Sequence, residues 1–254
     1  MFWQLGFLTN FHYSGVKEFI DMHEVKTLNA TYNPSDLSSA AEAAGFAGFE
    51  GFGPADFDAM AVPGLQPRMA AIIERVRPKL HALGQALAPQ LSRLCGEQMT
   101  AHVAKHARRS VNPPDDTWVA WSPSPRGYKA FPHFQIGLWS THLFIQFAVI
   151  YECPAKSAFA ERAEAELASI RSSVPAEYQW SKDHTQPEGT AHRDLSDEEL
   201  STLFVRLRTV KAAELTCGLH IRRDDPLLSY GKALLSKAES VFETLLPLYK
   251  MARA

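Results

Sequence analysis

HFQIGLWSTHLFIQFAVIY, residues 133–151, decides the fold. Phe134, Ile136 and Leu138 alternate with His133, Gln135 and Gly137. After Ser140-Thr141 the alternation resumes, with Leu143, Ile145, Phe147 and Val149 opposing His142, Phe144, Gln146 and Ala148. A period of two is the mark of a strand with two chemically different faces. The two-residue link requires antiparallel neighbours, because a parallel pair needs a crossover of a dozen or more residues.

The same pattern extends in both directions. Residues 98–107 (QMTAHVAKHA) and 117–122 (TWVAWS) read as strands upstream, and 177–182 (EYQWSK) and 213–223 (AELTCGLHIRR) downstream. In 98–107, Met99, Ala101 and Val103 oppose Thr100, His102, Ala104 and His106. In 213–223, Leu215, Cys217, Leu219 and Ile221 oppose Glu214, Thr216, Gly218, His220 and Arg222. If these strands share one sheet in phase, the histidines gather on a single face.

Helical spacing flanks this block. From Pro67, the residues Met69, Ile72, Ile73, Val76, Leu80, Leu83, Leu87, Leu91 and Leu94 recur at three- and four-residue steps, the stripe of a core-facing helix. Pro78 and Pro89 are expected to kink it. Phe159, Ala163, Leu167 and Ile170 mark a middle helix, and Ser196 with Glu199 forms a capping box ahead of Leu200. A last helix runs from Leu227 to Tyr249. The expected fold is α+β: a mostly antiparallel sheet of about five or six strands, packed by N-terminal, middle and C-terminal helices. Neither GxGxxG nor a phosphate-loop pattern occurs, which disfavours dinucleotide and P-loop chemistry.

Residues 1–47 differ in character. TYNPSDLSSAAEAAG lacks sustained periodicity, and this segment is expected to be a mobile N-terminal extension to a single α+β domain over 48–254. The opening MFWQLGFLTNF has no basic segment and reads as neither signal peptide nor anchor. No apolar run approaches the ~20 residues of a membrane span. Cys95, Cys153 and Cys217 are widely spaced with no CxxC, which suits a cytoplasmic protein.

The net charge of the 254-residue chain is −2, so any preference for anions must be local. It has a local source in HVAKHARRSVNPPDDTW (102–118) and SPRGYKAFPHF (124–134). Arginine forks match phosphate or carboxylate oxygens, and histidine adds short donors. The candidate ligand-binding residues are therefore His102, His106, Arg108, Arg109, Arg126, Lys129, His133 and Gln135, with His220 as a further donor. The competing structural reading pairs Arg108 and Arg109 with Asp115 and Asp116 across the Asn112-Pro113-Pro114 turn and buries the aromatics. His102 and His106 have a zinc-like spacing, but Val103 stands where HExxH has its glutamate. A strand would also hold the pair ~13 Å apart. No metal and no other cofactor is expected, and no nucleophile is marked by sequence.

The stretch 102–152, with GPADFDAMAVPGLQPRMAAI upstream and DHTQPE (183–188) downstream, resembles the YktB-like family of uncharacterised bacterial proteins. The resemblance runs from about residue 48 to the C-terminus. It implies a compact α+β cytosolic protein and brings no activity or residue roles. The expected function is binding of a small anionic ligand on a His/Arg-rich sheet face. A single-stranded RNA-binding module or a protein-interaction domain is the alternative.

Overall fold

A computed structural model describes residues 49–254, so the expected mobile extension over 1–47 lies outside the described residues. The chain opens with α1 (Pro54–Ala59) and α2 (Leu65–Ala71). A wide π-helical turn, Ile72–Val76, joins α2 to α3 (Arg77–Cys95). The helical run is thus interrupted just ahead of Pro78. Proline has no amide donor and crowds the preceding turn, and the π-turn before it loosens the backbone at that point. Pro89 stays inside α3.

The strands follow: β1 (Thr100–Val103), β2 (Asp116–Ser122), β3 (His133–Trp139) and β4 (His142–Val149). Next come α4 (Lys156–Ala165), α5 (Leu167–Ser173), β5 (Gln179–Ser181), β6 (Thr190–Ala191), α6 (Asp197–Thr209), β7 (Leu215–Arg222) and α7 (Gly231–Arg253). Among the described residues the strands form one seven-stranded sheet in the order β1-β2-β3-β4-β7-β5-β6, with every pairing antiparallel. The strand beyond the expected five or six is β6, two residues too short to show a period. β1 is also shorter than the expected 98–107. It ends at Val103, and His106 takes a positive φ of 53° that turns the chain off the sheet.

The apolar sides of the strands face the helices. Val119, Trp121, Phe134, Ile136, Ile145, Phe147 and Cys217 are buried under α3, α4 and α7. Trp121 also donates its indole N–H to the Gly84 carbonyl of α3 at 3.0 Å, so its one polar atom is satisfied inside the core. α6 begins at the expected capping box: Glu199 N–H donates to Ser196 Oγ at 3.1 Å, and Ser196 N–H to Glu199 Oε2 at 2.8 Å. Ser196→Ala is expected to lower the melting temperature by about 3 °C, readable by differential scanning calorimetry.

No helix among the described residues is long and apolar enough to cross a membrane. Cys95, Cys153 and Cys217 are all free thiols.

Candidate functional site

The register settles the phase of the sheet. His102 pairs with Ala120, Ala120 with Gln135, Gln135 with Gln146, and Gln146 with Gly218. Paired residues share a face, so the polar sides of β1, β2, β3, β4 and β7 coincide. Two connecting segments cover this face. Tyr128 lies against His133 at 4.8 Å between ring centroids and accepts from Trp118 Nε1 at 3.1 Å. The 182–189 segment covers the other half, where His184, Gln186 and Glu188 enclose a pocket of about 20 Å³. Its floor is Asp116 and Trp118 of β2, Gln135 and Trp139 of β3, and Phe144 and Gln146 of β4. Ser181, Thr216 and His220 complete the wall.

Asp116 is the unusual member. It is 9% exposed, and no side chain among the described residues donates to its carboxylate; its hydrogen-bonding partner is its own backbone amide. Burial raises its pKa to about 7, against the lowering pull of His184 and Arg109. His184 answers it from the covering segment. Its Nδ1 donates to Glu214 Oε1 at 2.6 Å, and its backbone N–H bonds the same oxygen at 2.9 Å. Burial alone would lower the His184 pKa, but the bond and charge of Glu214 outweigh it and the pKa rises.

Three histidines of this face are held neutral. Burial lowers His133 and His142 to about 4, and His220 to about 3. His133 Nδ1 donates to the Phe131 carbonyl at 2.7 Å, which leaves Nε2 to accept from Gln135 Nε2 at 2.9 Å. Gln135 Oε1 then accepts from Gln146 Nε2 at 2.9 Å. This chain orients both amides and leaves Gln146 Oε1 free to accept at the pocket. His142 and His220 stack at 4.3 Å.

Of the sequence-predicted residues, Gln135 and His220 line the pocket, and His133 supports it from below. His102, Arg126 and Lys129 gather instead in a separate groove of about 360 Å³ with Tyr128 and Phe131. There His102 Nε2 bonds the Ser124 carbonyl at 2.8 Å, and Lys129 lies 3.3 Å from Glu152. His106 bonds Thr117 Oγ1 at 3.2 Å beyond the end of β1 and is lowered to about 4 by burial. Arg109 donates to the Pro113 carbonyl at 3.1 Å, and Arg108 is exposed. The competing reading of Arg–Asp pairing across the turn gives way to a longer-range pair, since Asp115 is held by Arg68 of α2 at 3.2 Å.

Sequence reasoning missed Asp116, His184 and Glu214 as site residues. Only the placement of Glu214 on the polar side of its strand hinted at any of them. Asp183, His184 and Glu214 also bring three potential ligand atoms within 4.8 Å of one another. A metal there would have to displace the His184–Glu214 proton and the two Thr185 donors already on Asp183 Oδ1.

The fold and pocket define an α+β domain with helices on one face of an antiparallel sheet and a partly covered polar site on the other. The chain belongs to the DUF1054 family, a domain of unknown function, whose profile matches residues 52–249. A UPF0637 protein of Bacillus velezensis is 48% identical over 198 residues, covering 78% of this chain and 94% of that protein. One from Bacillus licheniformis is 47% identical over 198 residues (78% and 94%), and one from Bacillus cereus strain B4264 is 48% identical over 200 residues (79% and 96%). This is the uncharacterised bacterial family that the central motif resembles.

Proposed function

We propose that this protein binds a small polar ligand in the pocket beneath residues 182–189 and exchanges a proton with it. One observation carries the reading. Asp116 is a nine-tenths buried carboxylate in the pocket floor, its pKa raised by burial to about 7, and no side chain among the described residues donates a hydrogen bond to it. A carboxyl left so costly to ionise is poised for acid–base work, because its pKa lies near the working pH. The His184–Glu214 pair supplies a second titrating group of opposite charge across the same cavity.

A thermal-shift screen of small polar metabolites tests it. Hits are expected to raise the melting temperature of the wild type and to lose that effect in Asp116→Asn and His220→Gln. Hits that stabilise both variants as much as the wild type would remove the pocket from the account. Three free thiols support placing the protein in a reducing, cytoplasmic compartment.

A second reading keeps the anion expected from sequence and moves it to the groove of His102, Arg126 and Lys129. Two cationic side chains beside the Tyr128 and Phe131 rings favour it. Inorganic phosphate or a nucleotide should then bind more weakly as salt rises, and Arg126→Ala should abolish the response.

A further inference from the structure

We propose that the group this pocket receives is a small organic cation, an ammonium or guanidinium head, seated between the Asp116 and Glu188 carboxylates and the Trp118, Trp139 and Phe144 rings. The inference rests on the pocket being a ligand site and names the chemistry of its ligand. The first argument is charge. Two carboxylates line the cavity and no lysine or arginine does. The one protonatable base that gains charge there, His184, is already matched by Glu214 at 2.6 Å. An anion entering would meet Asp116 and Glu188 with no cationic fork to hold it, and like charges at such distances repel strongly where water is scarce.

The second argument is hydrogen-bonding polarity. Gln146 spends an amide hydrogen on Gln135, so the pocket meets its carbonyl oxygen, an acceptor. Trp118 spends its indole N–H on Tyr128, so toward the cavity it contributes ring surface rather than a donor. His220 is neutral, and one of its nitrogens is therefore an acceptor. Beside the two carboxylates these groups add acceptors, the complement of an N–H-bearing cation. The third argument is shape. Three aromatic side chains around a cavity of about 20 Å³ suit a compact cationic head, which ring faces attract, with any larger remainder of the molecule leaving through the mouth.

Asp116 gives the proposal a pH signature. His184, Arg109 and Asp115 are the charged groups acting on it, with Glu188 and Glu214 nearby in the site. Below pH 7 the folded protein holds a proton on Asp116 that a bound cation must expel. Affinity should therefore weaken by about tenfold per pH unit below about 7 and level off above it.

Isothermal titration calorimetry with methylammonium, ethanolamine and agmatine, from pH 5.5 to 8.5, tests this against acetamide and inorganic phosphate as neutral and anionic probes. The expected result is saturable binding of at least one amine, with proton release below pH 7 and at least about tenfold weaker binding at pH 8 in Asp116→Asn. If no amine binds, or if amines bind the variant as tightly as the wild type, the cation is excluded. Should acetamide or a metabolite hit then bind in a manner that His220→Gln abolishes, the pocket would stand with a ligand of another class. If nothing bound there depended on His220, both readings would fall together.

Discussion

Asp116→Asn is expected to raise the melting temperature by about 10 °C at pH 8 while leaving it nearly unchanged at pH 3.5. The native pKa of about 7 stands some three pH units above the ordinary aspartate value of 3.8. A raised carboxyl pKa means that the folded state holds its proton more tightly than the unfolded state. The associated stability is complete below the unfolded pKa and is lost as pH climbs through the folded one. Three units correspond to about 4 kcal/mol, spent between about pH 4 and pH 7. Asparagine has nearly the same shape as the protonated acid and never ionises, so its advantage over Asp116 should grow across that window. Thermal melts of both proteins from pH 3.5 to 8.5 give the curve. A variant less stable than wild type at pH 8 would mean that the ionised carboxylate has a stabilising partner, and the pocket would lose its vacant counter-charge. The expected gain also bears on function, because a side chain that costs stability and persists in the floor of a cavity fits a role in binding or chemistry.

Much of the sheet was legible because alternation is a local signal. Phe134, Ile136 and Leu138 against His133 and Gln135 fixed the faces of β3, and the Ser140-Thr141 link fixed the direction of β4. The common phase of the polar faces was an inference from four separate strands, and the register bears it out. Where β1 ends was not legible. The left-handed turn at His106 follows from the packing of its ring against Trp118 and Thr117 rather than from any glycine or proline at that position.

The site was half legible for a related reason. A strand pattern can tell which residues share a face, so Gln135 and His220 were found. It cannot tell which loop folds back over that face, and the positions of His184 and Glu188 depend on that loop. Asp116 was hidden by its neighbour. In the pair Asp115-Asp116 the two side chains look equivalent, yet β2 begins between them. Asp115 is exposed and pairs with Arg68, while Asp116 is carried beside Trp118 into the pocket.

Gly218→Ala carries the other large expected effect, a loss of about 3 kcal/mol or more and a melting temperature lower by about 6–12 °C. Gly218 lies in β7 between Gln146 of β4 and Gln179 of β5. A methyl group there would run into the Ile145 carbonyl oxygen and lie 2.5 Å from the Gln146 Cα. Both obstacles are backbone, which cannot rotate aside as the tip of a side chain could. Relief must come from parting β4 and β7 at the centre of the sheet, where both strands are packed on their apolar faces against the core. Gly53→Ala serves as the control, since among the described residues no atom beyond its chain neighbours lies within 4 Å of a methyl group at that position and its change should be small. The substitution at 218 should also reach the pocket. Gln146 would be displaced from Gln135, the amide chain down to His133 would break, and the acceptor facing the cavity would lose its orientation. Ligand affinity measured well below the lowered melting temperature should therefore fall as well, while Gly53→Ala binds like the wild type. A Gly218→Ala protein that melts at the wild-type temperature would show that β4 and β7 can separate at little cost, and a pocket floor built across that seam would then lack the rigidity that fixed acceptors require.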